Sequence, residues 1–307
     1  MKVAITGATG FVGSRLVERL HSQGEQILVL TRNSKKAKRI FPDLAYPNLE
    51  IVAYQPKQSG AWQKSIDGCN SVVNLAGAGI ADERWSASRK QEIMDSRKVT
   101  TEKLVEAIAQ ANSKPSVLVS ASAVGYYGTS ETATFDETSN SGNDFLAQVC
   151  QAWEAAAQPV KDVGVRLVIL RIGIVLGMGG TISKMLTPFQ LFAGGPIGSG
   201  RQWFSWIHID DLVGLTLHSL RYQEMQGIFN ATAPNPVIMG EFCQDLGGTL
   251  NRPSWIPVPN LAIELLLGDG AVVVLEGQKV LPKQTQDSGF QYQYPNVKSA
   301  LKNILAS

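Results

Sequence analysis

Met1-Lys-Val-Ala-Ile-Thr-Gly-Ala-Thr-Gly-Phe-Val-Gly13 opens the chain, and its reading decides the fold. Val3 to Ile5 is a short apolar run that breaks into Gly7, Gly10 and Gly13, spaced three apart, after which Val12, Leu16, Val17 and Leu20 recur at helical spacing. The pattern is strand, glycine-rich turn, helix. Such a turn suits a dinucleotide pyrophosphate, because glycine permits the tight bend and the close approach of backbone N–H groups. The helix that follows aims its free N–H groups and positive end at the phosphates. Thr9, Phe11 and Val12 lie in the same turn. The competing reading is an ordinary strand-to-helix turn whose glycines are incidental.

Moving outward, Gln26 to Arg32 reads as a second strand, and the residue at its end selects the cofactor. An acidic side chain there binds the adenosine ribose hydroxyls of NAD; a basic one suits the 2′-phosphate of NADP. This strand ends in Thr31-Arg32, and no Asp or Glu occurs before Pro42. A guanidinium matches a phosphate in two-pronged fashion, so Arg32 predicts NADP(H). Lys38 and Arg39 read as a solvated helix face.

Further strands are expected at Leu49 to Tyr54, Ser71 to Gly77, Ser116 to Ser122 and Arg166 to Leu176, with Gly227 to Ala231 a short late one. Leu75, Ala76 and Gly77 end the fourth with small residues, which let a ligand lie against the backbone where open α/β sheets bind it. Asp82 to Ala111 reads as mostly helix, and a helix capped by Asn143 or Asp144 runs to about Ala157. Further helices are expected over 182–193 and from Asp210 or Asp211 to about Tyr222. Alternating strands and helices predict the α/β class: a Rossmann-type, doubly wound parallel sheet. The expected division is a dinucleotide-binding domain over 1–180, completed by part of 205–232, and a smaller C-terminal substrate lobe over 181–307 that is rich in proline.

Bulk properties narrow the function. The chain of 307 residues is 44% apolar and 18% charged with a net charge of +2, as in ordinary soluble globular proteins. Nothing here calls for nucleic acid or an anionic membrane as partner, and a small-molecule substrate is expected. Cys69, Cys150 and Cys243 form no paired motif, and His21, His208 and His218 have no ligand spacing, so no metal and no structural disulfide are expected. No apolar run is long enough to span a bilayer, and the first strand begins at residue 2, which points to the cytoplasm or to an organelle interior after processing.

Thr6-Gly-Ala-Thr-Gly-Phe-Val-Gly13, Asn74-Leu-Ala-Gly77, Ser120-Ala-Ser122, Leu170-Arg-Ile-Gly-Ile-Val-Leu-Gly177 and Trp206-Ile-His-Ile-Asp-Asp211 together resemble the extended short-chain dehydrogenase/reductases, the superfamily of nucleotide-sugar epimerases and dehydratases. Gly194-Gly-Pro-Ile-Gly-Ser-Gly200, Leu275-Glu-Gly-Gln-Lys-Val-Leu-Pro282 and Ser288-Gly-Phe290 narrow the likeness to an atypical subgroup that carries the names sugar-nucleotide epimerase and cell division inhibitor. The resemblance spans nearly the whole chain. It implies cofactor contacts from Gly7, Thr9, Gly10, Phe11, Val12 and Gly13, from Thr31 and Arg32, from Leu75, Ala76 and Gly77, and from Val175.

The superfamily's chemistry implies a Tyr-x-x-x-Lys pair on one helix and a serine on the fifth strand. Ser122 matches the serine. The helix that should carry the pair has Cys150 at the tyrosine position and Glu154 at the lysine position, four apart and so on one face. A carboxylate there raises the pKa of a neighbouring acid. Candidate proton donors are therefore Cys150, which is otherwise a small buried filler, and Tyr126 or Tyr127, each otherwise a packing aromatic. Tyr294 to Lys298 has the right spacing but includes Pro295, and it reads as a loop into the last helix. Arg97 stands where the superfamily usually has asparagine; with Glu92 it either reaches the cofactor or forms an ion pair on the helix surface. Arg201, Trp203, Trp206 and His208 line the expected cleft mouth, unless the tryptophans are core and His208 pairs with Asp211. The expected function is an NADP(H)-dependent oxidoreductase or epimerase-like enzyme on a small carbonyl or sugar-type substrate. The rival is an NADP(H)-binding regulator or redox sensor without turnover, linked to division.

Overall fold

The computed structural model describes residues 1–306. Seven strands form one parallel sheet: β1 (Lys2–Thr6), β2 (Gln26–Thr31), β3 (Leu49–Ala53), β4 (Ser71–Asn74), β5 (Val117–Ala123), β6 (Arg166–Ile172) and β7 (Gly227–Ala231). They lie in the order β7-β6-β5-β4-β1-β2-β3. The order reverses between β1 and β4, where open α/β sheets leave a crevice at the carboxyl ends of their strands. Two-residue alternation sorts the strand side chains onto two faces. Val3, Ile5, Val29, Val73, Val119 and Leu170 pack with Leu16, Leu20, Leu212 and Leu215 on one side. Ala4, Leu28, Val72, Leu118, Leu167 and Ile169 pack with Leu104 and Ile108 on the other.

The helices include α1 (Phe11–Ser22), α2 (Ser34–Ile40), α3 (Ala87–Asp95), α4 (Lys98–Gln110), α5 (Phe145–Ala157), α6 (Thr181–Gln190), α7 (Ile209–Arg221) and α8 (Met239–Leu250), and Val297–Ala306 is the last. Asp144 caps α5 by accepting the Ala147 N–H at 2.9 Å. The stretch expected to be mostly helix over 82–111 divides, because Ser96 and Arg97 interrupt it. The expected strand over 166–176 also divides. At Gly173 the chain leaves the sheet, and Ile174–Leu176 pairs in parallel with Trp206–His208. A Cβ at Gly173 would lie 2.6 Å from the Ser205 carbonyl oxygen, so only glycine permits this crossing. α6 ends at Gln190, three residues before its expected end.

α6 and the residues beyond it build a second core in which Phe189, Phe204, Trp206, Phe242, Leu246 and Leu301 meet. Asp211 ties α7 to the tail by accepting the backbone N–H groups of Gln293 at 2.7 Å and Tyr294 at 3.0 Å. His208 therefore does not pair with Asp211. Its Nδ1 accepts the Asp210 N–H at 3.1 Å as the cap of α7, and its ring packs 4.0 Å from that of Tyr294. No helix among the described residues is long and apolar enough to cross a membrane.

Candidate functional site

The glycine turn has the shape its sequence requires. Gly7 sits at φ +72, where an L side chain is strained, and a Cβ on it would lie 2.7 Å from the Leu75 carbonyl carbon. A Cβ on Gly13 would lie 2.2 Å from the Gly7 oxygen. The turn thus packs directly against the end of β4 and the start of α1. Gly10 caps α1 without a side-chain hydrogen bond, which leaves first-turn N–H groups for an anion. Phe11 fills the space left by Gly177 and Gly180, to whose Cβ positions its ring would come within 2.9 and 2.7 Å. The end of β4 is held by a buried chain of polar groups. Thr6 Oγ1 donates to Asn74 Oδ1 at 2.7 Å, and Asn74 Nδ2 donates to Thr101 Oγ1 at 2.8 Å.

At the end of β2, Thr31 Oγ1 accepts the Asn33 N–H at 3.1 Å, and Asn33 caps α2. Arg32 between them is exposed and makes no ion pair among the described residues. A cradle that only glycine backbone fits, an uncapped helix start and an open guanidinium one strand away together fit a dinucleotide carrying an extra phosphate.

A cavity of about 470 Å³ opens beside this turn, with Val12, Leu75, Val175 and Arg97 on its wall. Arg97 is held in place: Nη1 donates to the Ile93 carbonyl at 3.1 Å and Nη2 to the Ala78 carbonyl at 3.0 Å. Burial pushes its pKa down from the ordinary arginine value. Glu92 does not accompany it. That carboxylate is exposed and bound to Arg89 at 2.7 Å, so the expected Glu92 contact in the cleft is corrected.

Ser122 and Cys150 share the cavity wall. Ser122 lies opposite Arg171 in the β5–β6 register, and alternation places both on the sheet face covered by α5. Glu154 of α5 meets them there. The Ser122 hydroxyl donates to Glu154 Oε1 at 2.7 Å, while Arg171 Nε and Nη2 donate to Oε1 and Oε2, each at 2.8 Å. Arg171 Nη1 then donates to the Tyr127 hydroxyl at 3.0 Å, which donates to Asn230 Oδ1 at 2.7 Å. Burial works against the Arg171 charge, but the Glu154 carboxylate outweighs it and raises the guanidinium pKa above its ordinary value. The Cys150 thiol donates to the Ala123 carbonyl at 3.6 Å. Burial, and then the negative charge of Glu154, push its pKa up to about 11, so it stays protonated at neutral pH.

Both phenols lie off the cavity wall, which corrects the expectation for Tyr126 and Tyr127. The Arg171 guanidinium carbon lies 3.3 Å from the Tyr126 ring centroid, and the Tyr127 hydroxyl is spent on Arg171 and Asn230. Burial pushes the Tyr127 pKa up to about 12. Of the four residues expected at the mouth, Trp203 lines the cavity; Trp206 and His208 are buried, and Arg201 is exposed beside Glu131. Sequence reasoning missed Arg171. Its signal is a cation inside the apolar run of a strand whose other arginine, Arg166, stands at the strand's start, matched by Glu154 as the lone charge of an apolar helix. Buried charges need partners, and two such residues of opposite sign are candidates for each other.

The arrangement can hold a dinucleotide at the turn and offer a hydroxyl and a protonated thiol to a second molecule. The family model described as NAD dependent epimerase/dehydratase family matches residues 3–231, and one described as domain of unknown function (DUF1731) matches residues 258–304. Epimerase family protein SDR39U1 homolog, chloroplastic, of Arabidopsis thaliana is 52% identical, with 99% of this chain and 87% of that protein covered. The crystal structure of human epimerase family protein SDR39U1 (isoform 2) with NADPH superposes with a TM-score of 0.89 at 36% identity over the whole of both chains. A nucleoside-diphosphate sugar epimerase from Corynebacterium glutamicum gives a TM-score of 0.78 at 30% identity, covering 99% of this chain and 58% of that one. On the match over residues 3–231 and these full-length likenesses, the chain belongs to the NAD dependent epimerase/dehydratase family.

Proposed function

We propose that the protein is an NADP(H)-dependent oxidoreductase that works toward reduction of a carbonyl group. The observation that carries this reading is the pairing of Ser122 and Cys150 on one cavity wall beside the glycine turn. NADP(H) is favoured over NAD(H) by the open Arg32 guanidinium, and the human relative whose structure holds NADPH supports the same choice. Bound at the turn, NADPH supplies a hydride. Ser122 holds the substrate oxygen, with its hydroxyl turned from Glu154 toward the ligand. Cys150 delivers the proton to that oxygen, since a thiol is a stronger acid than the alcohol formed, and the thiolate left behind regains a proton from water as the product leaves. Arg171 neutralises Glu154 and fixes its orientation, so that one carboxylate oxygen receives both groups.

Epimerisation is disfavoured on the same grounds. It needs a base that stands deprotonated before the substrate hydroxyl is oxidised, and burial, then Glu154, keep the resting Cys150 thiol protonated. The test is NADPH consumption in the presence of a carbonyl panel, with Ser122→Ala and Cys150→Ser as controls. A second reading, an NADP(H) binder without turnover, is favoured by one observation: the Ser122 hydroxyl is already committed to Glu154. Tight NADPH binding with no consumption across the panel would support it. Three buried free cysteines suit a reducing compartment.

A further inference from the structure

We infer that the substrate end of the cavity takes an uncharged, apolar carbonyl compound, with its single polar end at Ser122, and not a nucleotide sugar. The inference rests on the carbonyl-reductase reading and adds the substrate class. Three separate parts of the chain supply the wall that it would occupy. Trp85 comes from the loop before α3, Phe145, Leu146 and Val149 from the first turns of α5, and Val272 and Val273 from the short helix Val272–Leu275. These side chains form one apolar cluster with Ile93 beneath them. The Trp85 and Phe145 rings meet edge-on at 5.2 Å. The one polar atom of that pair is already used, because Trp85 Nε1 donates to the Ile80 carbonyl at 2.7 Å.

The charged groups on the wall are wrong for a diphosphate. They are Arg97, Asp144 and Glu276. Two are carboxylates: Asp144 caps α5, and Glu276 accepts the Thr129 hydroxyl. The one cation is bound to two backbone carbonyls. Lys90 rests over the Trp85 and Phe145 rings, but its ammonium is paired with Asp269 at 2.6 Å and is not on the wall. A pyrophosphate placed between these side chains meets like charge without a free counter-charge among them, an arrangement that selects against such ligands. The Lys279 ammonium, without an ion pair among the described residues, lies off this wall over the Trp203 ring. A nucleotide's base and ribose would also bury polar groups against carbon, leaving them unpaired. An apolar ring or chain loses nothing of this kind and fills the space between the aromatic rings.

The test is calorimetric titration of the intact NADP⁺-loaded protein, a form that cannot reduce its ligand. The probes are 1-tetralone, an uncharged bicyclic ketone, and UDP-glucose. Tetralone is expected to bind and UDP-glucose neither to bind nor to displace it. Leu146→Asp, an acidic change that suits the first turn of a helix, is expected to weaken tetralone at least tenfold while NADP⁺ affinity holds. Val273→Asp gives the same readout on the opposite wall should Leu146→Asp fail to fold. UDP-glucose binding, or tetralone binding indifferent to both substitutions, overturns the inference. Tetralone that binds but leaves NADPH unconsumed sinks the reductase reading and keeps the apolar site. UDP-glucose that binds where tetralone does not, with NADPH consumed by another carbonyl of the panel, does the reverse. If NADP⁺ does not bind, the cofactor reading falls, and titration of the unloaded protein with the same probes decides the wall.

Discussion

Arg171 is 1% exposed and Glu154 7% exposed, and each is buried at the cost of its hydration. Their two-pronged contact offsets that cost only while both are present. Glu154→Gln is therefore expected to destabilise the fold by about 3–5 kcal/mol, as breaking a buried pair from one side does. Urea unfolding measures it. The same substitution removes the negative charge beside Cys150, so the thiol pKa should fall from about 11. Thiolate absorbance, referenced to Cys150→Ser, checks the direction. Arg32 is the opposite kind of residue, exposed and without an ion pair among the described residues. Hydrogen bonds to a charged group are worth about 1.5–3 kcal/mol. Arg32→Ala should thus weaken NADPH by roughly ten- to a hundredfold while leaving NADH nearly unchanged, as two parallel titrations would show. The place of Arg32 just after β2 was readable from sequence because a strand's end is marked locally. The Glu154–Arg171 contact was not, because it joins residues 17 apart through the register of β5 and β6 and the docking of α5.

At the scale of elements, the glycine turn and α5 were readable and the crossings between lobes were not. The turn announces itself because each glycine answers a local demand. Gly13→Ala tests that demand: its Cβ would collide with the Gly7 oxygen, a rigid backbone atom, so α1 must shift away from β1. The expected outcome is a loss of dinucleotide affinity greater than tenfold together with a lower Tm. An alanine variant that binds normally would mean that the turn is looser than its geometry. The strand over 166–176 looked continuous because its apolar run does not stop at Gly173. What stops it is the approach of Ser205 from the other lobe, which no local pattern reports. For the same reason the sequence left Trp206 and His208 open between the cleft mouth and the lobe core. Aromatic residues near a cleft and aromatic residues in a lobe core have the same composition, and only the pairing of Trp206–His208 with Ile174–Leu176 separates them.

Across the whole molecule, burial raises several acids together. Cys150 is pushed up to about 11, and Cys243, Tyr54 and Tyr127 to about 12. Each holds its proton in the folded state at a pH where the unfolded chain has released it. Their contribution to stability is therefore complete below the ordinary thiol and phenol range and is lost as pH rises through about 11 to 12. Cys150→Ser should make the decline between the ordinary thiol value and about 11 shallower by up to one proton, about 1.4 kcal/mol per pH unit. Urea midpoints at a series of alkaline pH values measure it. The measurement that bears most directly on the proposed reductase activity is a comparison of NADPH consumption by the wild-type protein, Ser122→Ala and Cys150→Ser with an apolar ketone. On the proposed reading, in which the Ser122 hydroxyl holds the developing oxyanion, its removal is expected to slow turnover by about 10²–10³-fold, and Cys150→Ser should also slow it while NADPH affinity stays unchanged in both. Turnover that is indifferent to both substitutions would contradict the assignment of the chemistry to this wall.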